Sequence, residues 1–539
     1  MAKKPIRQKK QQGASSRTTD DLSLPSKVVT ALFAAAILLI LYWMIQSPRP
    51  YDDDSIDRYF MALAAPKLPD FFLSFWGRPL AILLYAGPAQ FGYWFSAFVT
   101  VLLTAGTLYF TYQTAVARSM RNSWMVVPLL IAQPFFFITS FSLCTEPLAA
   151  FCLAWGMFLF EKKKTLPAVL VLSLVPLARS ELVLALPIFA WLLFKEKKYV
   201  HILLLGSGLV VYQIAGMIAT GDMLYLLSAG KSFAHGQYAN GPFDHYFERF
   251  IFITGPVVFM FGLLRLAQDV RHKRLDVLNY ILVVTLAIHV YLFWKGNVAH
   301  AGFLRHFVAI APVIGLLALD GLNEWFRDDK PADKGFTLAV LAAGTVLVLL
   351  YYSVELFGNQ ALVNPATGQK QPEYMKFMIA LLILILFVFN KFIGLRGSET
   401  KLVMLVSVMV SCVWYTTSKQ KPLQLAPEQL AVREAHDFYL EAYKDKAPKT
   451  MVAHSWFFFF DNYNHYLSQF YEKPLVEMRK ENLADLPSGS IVIWDSHYSW
   501  RLSSNVQQAD LFNNDRFKLN REILSTDRRF GIYFFEKVK

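Results

Sequence analysis

The fold of this chain is decided by residues 28–60, which read VVTALFAAAILLILYWMIQSPRPYDDDSIDRYF. Residues 28–45 carry no charge and are long enough to cross the hydrocarbon core of a bilayer, which takes about 17–25 residues as a helix. Four carboxylates follow within a few residues, at Asp52, Asp53, Asp54 and Asp57. The stretch therefore predicts a membrane span with an acidic cluster directly beyond it.

The composition extends this prediction to the whole chain. Of 539 residues, 55% are hydrophobic and 17% are charged, whereas an ordinary soluble domain carries about 25% charged residues. The net charge is +13. We expect the basic excess to lie on one side of a membrane rather than in a stripe that binds nucleic acid. The three cysteines, which all lie in or beside apolar runs, predict neither a disulfide framework nor a zinc site.

Further apolar runs predict a polytopic α-helical membrane protein of about thirteen spans. The long runs are Val28–Ile45, Trp94–Ala115, Val200–Ile218, Phe250–Leu266, Val277–Trp294, Leu304–Leu319, Phe336–Leu356, Met375–Phe389 and Leu402–Tyr415. The shorter runs are Trp124–Phe141, Glu146–Phe160, Leu166–Ala178 and Leu182–Phe194. Together they define a membrane domain over residues 28–416, with a first outer loop over residues 46–93.

Basic residues predict the orientation, because loops rich in Lys and Arg stay in the cytoplasm. Residues 1–27 form a basic tail without a signal-peptide cleavage pattern, so we expect a cytoplasmic N-terminus and an uncleaved first span. An odd number of spans then places the C-terminus outside the cytoplasm. In a bacterium this is a multi-pass protein of the inner membrane.

Residues 417–539 differ from the rest, because their charge rises and no apolar run is long enough to span. An amphipathic helix is predicted over Glu428–Tyr443. Strands are predicted at Thr450–Ala453, Ser490–Trp494, Phe517–Ile523 and Phe530–Phe535. These elements indicate a small extracytoplasmic α/β domain.

The acidic cluster has three interpretations. Like charges raise one another's pKa, which suits a general base. Asp52 and Asp53 can instead ligate a divalent cation through oxygen. The third interpretation is a helix cap without catalytic function, because Asp favours helix N-termini.

Other charges at span ends predict further parts of a site, because charges at the membrane are costly unless paired or hydrated. Arg78, Arg305 and His306 form a candidate phosphate-binding group. Arg179 and Glu181 lie at the tip of a short hairpin and are expected to face a cavity or pair. The loop Thr220–Arg249 suits a lid over a substrate and contributes Lys231, His235 and His245.

The order of these features resembles the GT-C superfamily of integral membrane glycosyltransferases. The matching elements, in chain order, are Tyr51-Asp52-Asp53-Asp54-Ser55-Ile56-Asp57-Arg58-Tyr59-Phe60, Trp76-Gly77-Arg78-Pro79-Leu80, Thr145-Glu146-Pro147-Leu148, Ala178-Arg179-Ser180-Glu181 and Leu304-Arg305-His306-Phe307. The second resembles the family's Arg-Pro-Leu or His-Pro-Leu element. The resemblance is mannosyltransferase-like, although the His-Pro-Asp-Glu form of the acidic motif typical of several mannosyltransferase branches is absent.

The resemblance implies sugar transfer from a polyprenyl-phosphate donor to an acceptor hydroxyl of a glycan, lipid or protein outside the cytoplasm. It places the general base at Asp53 or Asp54, with Asp57 as a second candidate, and Asp54 is favoured. One base suffices for an inverting displacement, and no cofactor is required beyond a possible divalent cation. Three other classes remain open. The first is a transporter or flippase of lipid-linked glycan. The second is a non-catalytic membrane scaffold that binds a partner through the outer domain, and the third is a glycan polymerase or ligase that uses larger lipid-linked donors.

Overall fold

The computed structural model describes residues 24–232, 240–296, 302–326, 331–357, 398–471, 474–501 and 504–538. Most of the basic tail, the predicted span Met375–Phe389 and His235 lie outside these residues. The described chain is a bundle of helices followed by a small domain built on one sheet. A polytopic helical protein with a C-terminal α/β domain is therefore confirmed.

The helices of the bundle have the following bounds. The first ten are α1 (Ser26–Gln46), α2 (Asp53–Ala64), α3 (Pro79–Ala89), α4 (Tyr93–Ala117), α5 (Val126–Ile131), α6 (Pro134–Thr139), α7 (Glu146–Glu161), α8 (Thr165–Leu172), α9 (Val175–Ala178) and α10 (Leu186–Lys195). The next nine are α11 (Tyr199–Leu204), α12 (Ser207–Thr220), α13 (Tyr225–Ser232), α14 (His245–Thr254), α15 (Pro256–Arg271), α16 (Val277–Lys295), α17 (Ala311–Trp325), α18 (Pro331–Phe357) and α19 (Ser398–Lys419). Short 3₁₀ turns cover Pro69–Leu73, Ser123–Met125, Ser180–Ala185 and Leu304–Ile310.

Five helical segments of the described chain are long and apolar enough to cross a membrane, or up to seven if two bent pairs each count as one span. The five are Ser26–Gln46, Tyr93–Ala117, Val277–Lys295, Leu304–Trp325 and Lys401–Lys419. Several other predicted spans are broken at prolines. For example, α5 and α6 divide the run Trp124–Phe141 at Pro134, which has no N–H to continue the helical hydrogen bonds. The count of thirteen spans stays a prediction.

Ion pairs bring several basic loops to one end of the bundle. Arg118, after α4, pairs with Asp276 before α16 and lies 3.7 Å from the carboxylate of Glu161 at the end of α7. Lys163 lies 3.4 Å from Glu196, which follows α10. These loops therefore share one end, as the positive-inside pattern requires. Which side of a membrane this end faces stays a prediction.

The C-terminal domain begins after α19, which ends at Lys419, three residues beyond the predicted end of the membrane domain at residue 416. Its helices are α20 (Pro427–Ala442), α21 (Ser455–Phe460) and α22 (Gln508–Phe512), with 3₁₀ turns at His465–Phe470 and Lys480–Asn482. Its strands are β1 (Thr450–Val452), β2 (Leu475–Glu477), β3 (Ile491–Asp495), β4 (Phe517–Leu524) and β5 (Gly531–Lys537). The predicted helix and all four predicted strands are present, and the three-residue β2 was not predicted.

The sheet has the order β2-β1-β3-β5-β4. Strand β1 pairs in parallel with β2 and β3, whereas β5 is antiparallel to β3 and β4. One face carries a core of its own that includes Met451, Met478, Val492, Trp494 and Phe535. The other face belongs to the continuous core that also includes the membrane helices. The C-terminal domain therefore packs against the helix bundle.

The C-terminal domain packs against helix α2, in the first outer loop. The side-chain amide of Asn464 donates to the Phe60 carbonyl at 2.7 Å, and the ring centroids of Tyr93 and Phe459 lie 5.7 Å apart. At the end of α1, the Trp43 indole N–H donates to the Gln420 carbonyl at 2.7 Å. The acidic stretch that follows α1 thus lies between the bundle and the C-terminal domain.

Candidate functional site

The four aspartates occupy different positions at the start of helix α2. Asp52 is its N-cap, and its Oδ1 accepts from the Ser55 amide at 2.9 Å and from the Ser55 hydroxyl at 2.6 Å. Residues four apart share a helix face, so Asp53 and Asp57 point one way and Asp54 points another. The structure shows that the two faces meet different partners.

Asp52 and Asp54 meet Arg305, which begins a buried part of the chain before α17. The Arg305 guanidinium forms ion pairs with both carboxylates. Its Nε also lies 3.5 Å from Oε1 of Glu146 at the start of α7. Only 6% of Arg305 is exposed, so its charge depends on these partners. One cation thus joins the first outer loop to two later parts of the chain.

The network continues through the short hairpin that contains Arg179 and Glu181. Arg179 contacts Oε1 of Glu146 at 3.0 Å and pairs with Glu181. Arg78 donates to the Ser180 hydroxyl at 3.0 Å and lies 4.0 Å from the Glu181 carboxylate. The structure thus pairs the two charges at the hairpin tip and also connects them to the acidic cluster.

The charges of this network balance. Its cations are Arg58, Arg78, Arg179 and Arg305, and its anions are Asp52, Asp54, Glu146 and Glu181. Most of them are nearly buried, and Oε2 of Glu146 has no hydrogen-bond partner among the described residues. An additional anion entering here has to take a cation from a carboxylate. The arrangement can therefore exchange one negative partner for another.

Arg78 is held in a strained backbone conformation. Its φ is 65°, which residues other than glycine rarely adopt, and Pro79 follows it as the first residue of α3. Strain of this kind costs about 1–3 kcal/mol and persists where the surrounding structure fixes it. Here the strained residue directs its guanidinium to Ser180 and Glu181.

Asp54 is the aspartate best suited to accept a proton. Its side chain is 33% exposed, and its contacts with Arg305 and with Arg58 at 3.7 Å both use Oδ2. Burial raises the pKa of Asp54, and the nearby Asp53 raises it further, whereas Arg58 lowers it. A carboxylate with a raised pKa binds a proton more readily near neutral pH. Asp54 therefore combines access with basicity.

Asp53 and Asp57 face the C-terminal domain instead. The Trp456 indole N–H and the Tyr498 hydroxyl both donate to the Asp53 carboxylate. Burial raises the pKa of Asp57 to about 7, although its hydrogen bond with the Ser455 hydroxyl opposes the shift. These two aspartates therefore connect helix α2 to the C-terminal domain.

Three more predicted site residues, His306, His245 and Lys231, lie within the described part of the chain. His306 is buried and stacks on His289, with ring centroids 5.2 Å apart. His245 Nε2 lies 2.9 Å from the Gly302 carbonyl. Lys231 is exposed near the end of α13, and within the described ranges no ion pair joins it to the network. His235 lies outside the described residues, so the lid stays a prediction.

A cavity of about 560 Å³ opens beside the network. Its lining consists of Asp70, Leu73, Ser74, Phe75, Trp76, Thr220, Asp222, Tyr225, Ser228 and Ala229. Trp76 connects it to the charges, because the Arg58 guanidinium lies over the Trp76 ring at 5.1 Å from its centroid. Arg58 in turn contacts Asp54. Aromatic rings beside carboxylates and hydroxyls can bind a polar ligand that also has apolar faces.

Several residues of this site have no role predicted from the sequence. Glu146 appears only within the element Thr145-Glu146-Pro147-Leu148, although a charge at the start of an apolar run is a signal for a site. Arg58 appears only within the quoted acidic motif. Trp456 and Tyr498 belong to no motif, and their contact with Asp53 forms only where the C-terminal domain packs against helix α2.

The predicted metal ligands have other partners here. Asp52 contacts Ser55 and Arg305, and both oxygens of Asp53 accept hydrogen bonds. A cation at these residues stays a prediction. A separate group of metal-ligating side chains, consisting of Glu428, His454 and His497, lies in the C-terminal domain.

The fold is similar to that of ArnT from Cupriavidus metallidurans. The crystal structure of ArnT in the apo state matches with a TM-score of 0.55 at 13% sequence identity, over 94% of this chain and 98% of that chain. The structure of ArnT bound to undecaprenyl phosphate matches with a TM-score of 0.55 at 12% identity, over 95% and 98%. No family model matches the chain, and no curated protein matches it by sequence. The GT-C-like membrane fold is therefore confirmed, and the likeness establishes the fold alone.

Proposed function

We propose that this protein is an integral membrane glycosyltransferase that uses a polyprenyl-phosphate-linked sugar. It transfers the sugar to an acceptor hydroxyl on the extracytoplasmic side. The observation that carries the proposal is the contact of Arg305 with Asp54 and Glu146 at the exposed end of a buried ion-pair network. It unites a carboxylate that can accept a proton with cations that can bind a phosphate. The undecaprenyl phosphate held by ArnT supports this class of lipid.

In the proposed reaction, Asp54 takes the proton of the acceptor hydroxyl. The acceptor oxygen then forms a bond to the anomeric carbon while the bond from that carbon to the phosphate oxygen breaks. The electron pair leaves with the polyprenyl phosphate, and the configuration of the sugar inverts. A single base is enough, because no carboxylate has to form a covalent bond to the sugar.

The proposed phosphate partners are Arg305 and Arg78, with His306 as an additional candidate. Arginine binds phosphate well because its planar fork donates two parallel hydrogen bonds. In this network the arginines already have carboxylate partners, so a phosphate that engages Arg305 weakens its hold on Asp54. Donor binding would thus release the base at the moment when the base is needed. The arginines would also stabilise the negative charge that develops on the leaving phosphate.

The cavity beside Trp76 suits the acceptor or the sugar. Its lining residue Trp76 contacts Arg58, and Arg58 in turn contacts Asp54, which connects the cavity to the proposed base. Its volume of about 560 Å³ is within the range of small-ligand sites, roughly 300–1,000 Å³. The donor sugar, including a mannosyl group, and the acceptor remain predictions from the family resemblance.

The test is sugar transfer in membranes that contain the wild type, Asp54→Asn or the control Asp437→Asn. Asp437 is 71% exposed on helix α20, so its change alters charge by the same amount away from the site. Radiolabelled donors with different sugars on polyprenyl phosphate are supplied in turn. Transfer by the wild type and the control, but not by Asp54→Asn, supports the proposal.

Two other outcomes would replace it. Movement of a lipid-linked glycan across vesicles, without transfer from any donor, would identify a flippase or transporter. Transfer only from donors with long oligosaccharides would identify a polymerase or ligase, which shares the chemistry and differs in donor size. The assay therefore separates the proposed glycosyltransferase from a transporter or flippase and from a polymerase or ligase.

A further inference from the structure

Three potential metal ligands meet on the C-terminal domain, outside the site described above. Glu428 lies in the first turn of α20, His454 directly precedes α21, and His497 follows β3. His454 Nε2 lies 3.1 Å from Glu428 Oε1, and His497 Nδ1 lies 2.5 Å from the same oxygen. One ligand atom from each residue lies within 4.8 Å of the others. Residues from three separate elements thus converge on one point.

The surroundings hold this point in place while leaving it accessible. His454 is 2% exposed, whereas the side chains of Glu428 and His497 are 28% and 31% exposed. The Asp495 carboxylate accepts the backbone N–H groups of His497 and Tyr498, at 2.9 and 2.6 Å, and so fixes the loop after β3. The cluster therefore has a rigid inner side and an open outer side.

We propose that Glu428, His454 and His497 bind a divalent transition metal ion of the zinc class. Two imidazoles and one carboxylate form a common zinc ligand set, in which a water or another group takes the fourth position. Ligand atoms of tetrahedral zinc lie about 3.3 Å apart, given metal–ligand bonds of about 2.0–2.2 Å. The observed separations of 3.1 and 2.5 Å are smaller, so an ion requires movements of less than about 1 Å. Nitrogen ligands favour zinc over magnesium or calcium.

Binding would change one hydrogen bond of His454. Its Nδ1 lies 3.3 Å from the backbone N of Trp456 and accepts from it. A neutral imidazole that binds a metal through Nε2 carries its proton on Nδ1, so this contact has to be given up. At 3.3 Å it is a long hydrogen bond, and three metal bonds outweigh its loss.

The proposed ion lies next to the residues that hold Asp53. The Tyr498 ring stacks on His497 with centroids 4.2 Å apart and lies 4.9 Å from that of His454. Its hydroxyl donates to Asp53, as does the indole of Trp456. An ion would therefore stabilise the packing of the C-terminal domain against helix α2. This part of the chain contains no cysteine, so no disulfide can do the same.

The test uses the full chain, purified in detergent, stripped with a chelator and titrated with Zn²⁺ alone. Metal content and a calorimetric titration measure the binding, and a thermal scan with and without Zn²⁺ measures its effect on the fold. The variants are His497→Gln, whose partly exposed side chain tolerates replacement, and Glu428→Gln. His201→Gln is the matched control, since His201 lies at α11 in the bundle.

The expected result is one Zn²⁺ per chain in the wild type and the control, with a higher unfolding temperature when Zn²⁺ is present. The two variants should bind Zn²⁺ more weakly by more than the roughly 10–100-fold that follows loss of an outer hydrogen-bond partner of a metal ligand. Mg²⁺ should give no signal. Folded wild type without bound Zn²⁺, or equal Zn²⁺ binding by His497→Gln, would overturn the proposal and leave a hydrogen-bonded His–Glu–His cluster. Neither readout depends on sugar transfer, so the result is independent of the proposed function.

Discussion

Arg305 and Asp54 are separated by 251 residues of sequence and meet in one ion pair. The same guanidinium pairs with Asp52 and approaches Glu146. The contact joins the first outer loop to the segment before α17 and makes the state of the proposed base depend on one arginine.

Asp54→Asn is expected to abolish sugar transfer while leaving the protein folded. An amide has nearly the same shape as the carboxylate but cannot take the acceptor proton, and loss of general-base catalysis costs about 10²–10⁴-fold in rate. Asp57→Asn should have a smaller effect on rate, because Asp57 faces Ser455. Turnover with a polyprenyl-phosphate sugar measures both. Undiminished transfer in the single Asn variants at 52, 53, 54 and 57 would remove the proposed base.

Arg305→Lys is expected to reduce transfer strongly while retaining the positive charge that Asp52 and Asp54 need. Lysine lacks the planar fork that holds two anions at once. Loss of a comparable contact to a developing anion costs about 2.7–4 kcal/mol, or roughly a hundredfold or more in rate.

Arg305→Ala should additionally destabilise the fold, because removing one member of a buried ion pair costs about 3–5 kcal/mol. Transfer rate and thermal unfolding are therefore measured on both variants. Wild-type turnover in folded Arg305→Ala would exclude Arg305 from the phosphate site.

Asp57→Asn is expected to flatten the pH dependence of stability. Burial raises the pKa of Asp57 from 3.8 to about 7, so the folded state retains a proton that the unfolded state has lost. The wild type therefore loses stability as the pH rises from 3.8 to about 7 and then loses no more from this group. The variant lacks this loss.

Thermal unfolding of both proteins between pH 5 and 8 measures the difference. The variant should gain stability relative to the wild type as the pH rises, and Asp437→Asn should show no such gain. A constant difference across the range would mean that Asp57 has an ordinary pKa.

Tyr498→Phe is expected to loosen the C-terminal domain, because the variant lacks the hydroxyl that donates to Asp53. Hydrogen bonds to charged groups contribute about 1.5–3 kcal/mol. Tyr109→Phe on α4 is the control, since Tyr109 is 48% exposed. Thermal unfolding of both variants, and of each combined with Asp53→Ala, gives the coupling energy. Additive effects of Tyr498→Phe and Asp53→Ala would show that the two residues do not interact.

A reporter active only in the cytoplasm should give no signal when fused after Lys539. The basic loops motivate this result, because their shared end of the bundle is expected to face the cytoplasm. The same reporter placed after Lys163 should be active, and it serves as the positive control. Strong activity after Lys539 would move the C-terminal domain to the cytoplasmic side and contradict the proposed site of transfer.

The polytopic helical architecture and most of the elements follow from local signals in the sequence. Apolar length predicts spans such as Ser26–Gln46, because a bilayer admits only long helices or closed barrels. Short runs that contain β-branched and aromatic residues predict β3, β4 and β5, since such residues favour strands. The short elements in the order of a GT-C protein also indicated which charged residues to consider. These signals are local or depend on order along the chain, so one sequence carries them.

The tertiary structure brings particular charges together. Burial requires each charge to find a partner, and the partners of Asp54 are Arg58, on the same helix, and Arg305, which reaches it through the packing of the helices. It also showed that Asp53 is held by Trp456 and Tyr498, which no motif marks. Contacts of this kind join residues hundreds of positions apart, and their geometry depends on how the C-terminal domain packs against the helix bundle. Periodicity and spacing describe a segment and contain no information on such distances.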